Sequence, residues 1–243
     1  MTVELHAAIR ASQVGSWADC GARAQYHVQR GAPPQDRPHV GTVVGTLVHR
    51  MMLEHRGAVD ADLPRFVEWD AHTRNKRELM DQVSFFAGVG NGEASRRGWR
   101  LGHTEVEMKG VLYEAGVRLQ VSGHMDGTLT KREKLATFEL KTGAHQPRSS
   151  WLQTGVYCWL WGQENEEPLA ASVVLWVNRK SGTAKWEERD PAMLAAAGLH
   201  ELQAICRDKM HGPRYNPSSL SCSSCLNDEC SVRYVEPSVR LET

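Results

Sequence analysis

In the stretch Ser122 to Gly143, SGHMDGTLTKREKLATFELKTG, the first half places Asp126 at the end of a strand, just before a turn. FELK then places Glu139 and Lys141 two residues apart on the next strand. Side chains two apart in a strand point to the same face, so Glu139 and Lys141 can share one site with Asp126 on the neighbouring strand. Two carboxylates and one ammonium then converge. Hard divalent cations, Mg²⁺ or Mn²⁺, take the oxygen ligands that Asp126, Glu139 and the carbonyl of Leu140 offer. A cation there lowers the pKa of a bound water, and Lys141 can orient that water and offset charge on an attacked phosphate. An isolated ExK pair is more often a surface ion pair. Here Phe138 and Leu140 flank the glutamate with apolar side chains, as on a partly buried strand.

Working outward, Val106 and Met108, then Val117, Leu119 and Val121, alternate with polar neighbours across a YEAG turn, which predicts a meander of strands. Leu135–Lys141 is a further strand, followed by a helix from about Ser149 to Trp161, a strand ASVVLWV and a final helix around Met193 to Met210. Upstream, Ser16 is a plausible N-cap for a helix through Arg30 that carries Trp17, Cys20, Ala24 and Val28, and GAPPQDRP breaks it. Thr42 or Gly45 can open a second helix with Leu47, Val48, Met51 and Met52 on one side and His49 in its first turns. A third, more polar helix is expected from Phe66 to Phe86, stopping near Gly88 to Gly92. The fold expected is α/β, a mixed central sheet flanked by helices. It forms one domain over residues 1–243, with a mainly helical portion at 1–100, a catalytic core at 101–211 and a Cys-rich tail at 212–243.

A chain of 243 residues with 41% apolar and 24% charged residues suits one globular domain with a sizeable core. Its longest apolar run is too short to cross a bilayer and MTVELHAAIR lacks a signal-peptide pattern, so a cytoplasmic location is expected. Basic and acidic residues number 29 each, so any contact with nucleic acid must be a local groove rather than a whole-molecule field. Cys222, Cys225 and Cys230 form a CxxCxxxxC cluster in an aperiodic tail, with Cys20 the candidate fourth ligand. Four thiolates suit a [4Fe-4S] cluster or Zn²⁺, and spacing alone does not separate them. Cys158 and Cys206 read as small buried apolar residues.

Four elements in order, GTLVH ending at His49, GHMD ending at Asp126, ELK at Glu139 to Lys141 and QTGVY at Gln153 to Tyr157, resemble the PD-(D/E)XK nuclease superfamily. Within it they look like the RecB-like branch that includes the CRISPR-associated iron-sulfur exonucleases. The resemblance implies a restriction-endonuclease-like core and a metal site completed by His49 with Asp126, Glu139 and the Leu140 carbonyl. It implies Lys141 as the catalytic lysine, with Gln153 and Tyr157 lining the site. It also favours the iron-sulfur cluster over zinc, held by Cys20 and the C-terminal triplet and tethering the termini, although the last gap, LNDE, is one residue shorter than is common.

The activity implied is metal-dependent exonucleolytic cleavage of DNA, on ends or single strands, in recombination, repair or spacer processing. No membrane partner is expected, and a homo-oligomer or larger nuclease assembly is allowed. Arg96, Arg97, Arg100, Lys131 and Arg132 are candidate contacts to the DNA backbone. Glu105 and Glu107 stay outside the metal's ligand set because no motif supports them. The competing function is a non-catalytic DNA-binding subunit that keeps the scaffold and a zinc or iron-sulfur staple. An electron-transfer role ranks last, because the chain lacks a GxGxxG dinucleotide loop.

Overall fold

Alternating apolar residues on two long neighbouring segments produce the central hairpin, β2 (Arg100–Glu114) and β3 (Val117–Lys131). Its two-residue turn has Ala115 and Gly116 at φ of 50° and 77°, the double left-handed conformation that matches strand twist. The computed structural model describes residues 4–30, 47–49, 76–142, 147–178, 181, 183–216, 222, 225 and 230.

β3 organises the six-stranded sheet. β2 covers one of its edges from Glu114↔Val117 to Arg100↔Thr130. The other edge is divided. β1 (Leu5–Arg10) runs parallel to Val117–Ser122, and β4 (Lys134–Lys141) runs antiparallel to Gly127–Lys131. Gly123 to Asp126 lie between the two partners, where β4 has left β3. From β4 the chain crosses over through helix α4 (Pro147–Glu164) into the parallel strand β5 (Leu169–Val177), and β6 (Ala184–Arg189) closes the sheet antiparallel to β5.

Helices cover both faces. The N-terminal helices are α1 (Val14–Asp19), α2 (Gly21–Arg30) and α3 (Lys76–Arg96), and the last is α5 (Pro191–His211). Val83, Phe86, Ala87 and Ala94 recur at helical spacing on α3 and pack with Leu47 and Val48 against Phe138, Leu140, Val173, Leu175 and Val177. The opposite core joins Val117, Leu119, Val121 and Met125 to Trp17, Val156, Tyr157, Leu160, Leu202 and Ile205. α4 and α5 approach backbone to backbone, since a Cβ on Gly198 would stand 2.5 Å from the Gly155 carbonyl carbon. Asp190 caps α5 by accepting from the Met193 N–H at 2.9 Å, with Pro191 beginning the helix.

Several expectations change. Ser16 lies inside α1 rather than capping it, and the expected single helix breaks at Cys20, whose backbone is extended. The chain before it is β1, a strand whose pattern buries only Ile9 fully. β3 recruits it through a distant pairing that leaves no local signal. α3 runs through Gly88, Gly90 and Gly92 to Arg96, because packing of Ala87 and Ala94 outweighs the roughly 1 kcal/mol that each glycine costs. β6 has too little alternation to be foreseen. Asp126 sits inside β3, not at its end. Leu47 to His49 are helical. The 31–38 break, Thr42, Gly45, Met51, Met52 and the expected helix start at Phe66 lie outside the described residues.

Candidate active site

The divergence of β4 from β3 creates the site. Gly127↔Phe138 is the last backbone pair between β3 and β4, so the next residues, Asp126 and Glu139, do not pair with each other, although Glu139 stays paired with Val174 on β5. Their side chains bridge the two strands instead. The Asp126 Oδ2 accepts from the Leu140 N–H at 2.7 Å, and the Glu139 Oε1 accepts from the Asp126 N–H at 3.4 Å. Two carboxylates are thereby fixed at the mouth of the fork by the backbone that the fork leaves unpaired.

Glu139 and Lys141 share one face of β4, as period two requires, while Phe138 and Leu140 fill the core behind them. Lys141 Nζ donates to Glu139 Oε2 at 2.6 Å and to Gln153 Oε1 at 3.3 Å. Gln153 Nε2 donates to the Tyr157 hydroxyl at 2.8 Å, and that hydroxyl donates to the His124 carbonyl at 2.8 Å. His124 belongs to the stretch of β3 that neither β1 nor β4 pairs, so Tyr157 supplies a donor on the divided side. Gly123 makes room for the ring, since a Cβ there would stand 2.7 Å from Tyr157 Cε1. The His124 carbonyl is a site group that the sequence did not reveal, because only the split edge makes it available.

His49 completes the cluster from the helix at Leu47–His49. Its Nε2 lies 2.9 Å from the Leu140 carbonyl and its Nδ1 lies 3.5 Å from Asp126 Oδ1. The carbonyl can only accept, so Nε2 carries the proton and Nδ1 the lone pair. Burial lowers the His49 pKa, outweighing the nearby Glu139 charge, and keeps the ring neutral at neutral pH. A nitrogen lone pair and a carboxylate oxygen therefore face each other with no proton between them, an arrangement suited to a shared cation.

The carboxylates lean the same way. Glu139 is fully buried, and desolvation together with the Asp126 charge pushes its carboxyl up to about 7 despite Lys141. Burial raises Asp126 to about 6, opposed by Lys141 and the Leu140 N–H. Burial alone would lower Lys141, but the charges of Glu139 and Asp126 raise it above its ordinary value. One ammonium faces two buried carboxylates, leaving an excess of negative charge once both ionise. Among the described residues no three His, Cys, Asp or Glu side chains form a ready-made metal group. Glu139 is turned instead toward internal donors, Lys141 and the Asp126 N–H. Glu107 pairs with Lys109 at 2.7 Å and stands apart from the cluster. Glu105, in β2 at a φ of 50°, adds a small upward push to Asp126.

Cys20 follows α1 directly, and the C-terminal segment docks beside it, with the Ala22 N–H donating to the Arg214 carbonyl at 3.0 Å. Arg214 is held by Asp208 at 2.8 Å and by Glu201 at 2.5 Å. The Cys225 N–H donates to the Cys222 carbonyl at 3.2 Å, but among the described residues Cys20, Cys222, Cys225 and Cys230 are not gathered into a metal group. Cys158 and Cys206 are buried, and burial raises each thiol to about 11, so both remain protonated.

A sheet forked at two buried carboxylates and a lysine, with helices on both faces, defines a class of α/β nuclease. The sequence profile of the PD-(D/E)XK nuclease superfamily matches residues 9–230, and the chain belongs to that superfamily. Its members are hydrolases that generally use Mg²⁺ or Mn²⁺. The fold is similar to that of a candidate exonuclease from Eubacterium rectale, with a TM-score of 0.60 at 16% identity over 93% of this chain and 88% of that one. SSO0001 aligns with a TM-score of 0.45 at 13% identity over 94% and 88%. A comparison with curated proteins returns no match.

Proposed function

We propose that the chain is a metal-dependent DNA exonuclease of the RecB-like branch, one nuclease domain over residues 1–243 that hydrolyses phosphodiester bonds at DNA ends or in single strands. The carrying observation is the unbroken set of contacts from His49 through Asp126, Glu139, Lys141 and Gln153 to Tyr157, assembled where β3 and β4 part.

Asp126 and His49 Nδ1, joined by Glu139 and the Leu140 carbonyl once these leave their present hydrogen-bond donors, would hold the Mg²⁺ or Mn²⁺, which when bound supplies Lewis acidity at the phosphate and a more acidic water. The chain's own residues do the positioning. Lys141 is held cationic by its neighbours, so it stabilises charge on the attacked phosphate rather than acting as a base. Two of its three N–H donors go to Glu139 and Gln153, leaving the third for phosphate or water. Tyr157 remains a phenol, its pKa raised by burial, and orients the Gln153 amide so that Oε1 faces the lysine. Recombination, repair and spacer processing are the pathways in which such an activity would serve.

Cys20, Cys222, Cys225 and Cys230 remain the proposed ligands of an iron-sulfur cluster or zinc on their CxxCxxxxC spacing and on Arg214 docking near Cys20, although among the described residues the cysteines form no ready-made metal group. Anaerobically purified protein should be brown and contain iron and sulfide, and Cys20→Ala should lose both while Cys158→Ala keeps them. Colourless protein with stoichiometric zinc would replace the cluster with a zinc staple.

Purified protein incubated with end-labelled single- and double-stranded DNA and Mn²⁺, Mg²⁺ or chelator tests the activity itself. Progressive shortening that requires metal and vanishes in Glu139→Gln is expected. DNA binding without cleavage under any metal condition would make the chain a non-catalytic subunit.

A further inference from the structure

The β3–β4 hairpin carries the site at its open end and an unusual charge arrangement at its closed end. Lys131 and Lys134 are directly paired across the turn, and Arg132, with a φ of 56°, and the exposed Glu133 lie between them. Like charges opposite each other in a hairpin repel. Arg100 joins them from β2, paired with Thr130 next to Lys131. Among the described residues no carboxylate forms an ion pair with Arg100, Lys131, Arg132 or Lys134. Arg96 and Arg97, by contrast, share the single carboxylate of Glu93. The chain has zero net charge, so this concentration of unpaired cations is local.

The tip is also held in place. Lys131 Nζ sits 5.7 Å from the centroid of Trp99, whose ring is buried, and its stem packs near Gly98. A cation resting on an indole loses less freedom when it binds an anion. Lys131 lies five positions from Asp126 along β3 and Lys134 five from Glu139 along β4, an odd spacing that puts Lys134 on the Phe138 face of β4 rather than the Glu139 face. At about 3.3 Å per residue the tip stands ~16 Å from the carboxylates.

We propose that Arg100, Lys131, Arg132 and Lys134 grip the phosphate backbone of the DNA, ~16 Å along the hairpin from the carboxylates Asp126 and Glu139. This rests on reading the fork as a nuclease site. The tip is then a sequence-independent anchor, and anchoring shows in binding rather than in the chemical step.

Fluorescence anisotropy with a labelled 20-nucleotide DNA, in chelator to prevent cleavage and at several salt concentrations, tests the anchor. Arg100→Gln/Lys131→Gln/Lys134→Gln should weaken binding at least tenfold and lower the slope of log affinity against log salt by about 2, the loss of three phosphate contacts on a single strand. Lys185→Gln, which removes a cation already paired with Glu187, should match wild type. Lys131→Arg/Lys134→Arg should restore binding, distinguishing lost charge from a damaged fold. Wild-type affinity and slope in the triple glutamine variant overturn the proposal while leaving the nuclease reading intact. Binding through the tip with no cleavage in Mn²⁺ or Mg²⁺ overturns the nuclease reading and leaves the anchor.

Discussion

Lowering the pH should strip a divalent cation from the fork, and the steepness is set by the two buried carboxylates. Both must be ionised to act as ligands, yet Asp126 titrates at about 6 and Glu139 at about 7. At pH 8 nearly every molecule has both deprotonated. At pH 5 the doubly ionised fraction falls to about one in a thousand, so apparent affinity should drop ~1,000-fold, or ~4 kcal/mol. The slope of log affinity against pH approaches zero above 7, one between 6 and 7, and two below 6. His49, held neutral by burial, adds no proton at neutral pH.

The sign for the metal-free fold is the reverse. Each raised carboxyl stabilises the native state below its ordinary value, 3.8 for Asp126 and 4.5 for Glu139, and that contribution is lost as pH rises through about 6 and 7. Metal-free protein should therefore melt lower at pH 8 than at pH 5, and added Mn²⁺ should raise its Tm more at pH 8. Calorimetric titration with Mn²⁺ at pH 5, 6, 7 and 8, with proton release measured from buffers of different ionisation enthalpy, reads both effects. Affinity that varies less than tenfold between pH 5 and 8 would refute the reasoning, because the carboxylates would then not be the ligands or not be perturbed.

Lys141→Gln should reduce cleavage at least 100-fold while Mn²⁺ still binds. Its loss removes the charge and hydrogen bond that hold Glu139 down, so the pH midpoint of metal binding should move upward, which the same titration reads. Tyr157→Phe leaves the His124 carbonyl and Gln153 without their partner and should cost ~1–2 kcal/mol in urea unfolding, with slower cleavage as Lys141 loses its orientation. Gly198→Ala drives a methyl into the backbone of α4 and should cost ~2–3 kcal/mol by thermal unfolding. Gly162→Ala, with nothing within 4 Å, should instead stabilise the helix by up to ~1 kcal/mol.

Much of the site was legible in the chain. Period two put Glu139 and Lys141 on one face, spacing of four put Gln153 and Tyr157 on one face of a helix, and the YEAG turn fell where the hairpin turns. These are statements about which side of one element a residue occupies, and local alternation suffices for them. What needed the tertiary structure was which strands meet. β1 takes the first half of the β3 edge and β4 the second, and only that division frees the Asp126 N–H, the Leu140 N–H and the His124 carbonyl to hold the site together. The same holds for the hairpin tip, where Arg100 becomes a neighbour of Lys131 through strand register, and for Arg214 beside Cys20. Pairings across a hundred or more residues are chosen by the summed burial and hydrogen bonding of the whole sheet. No short window of sequence contains that sum.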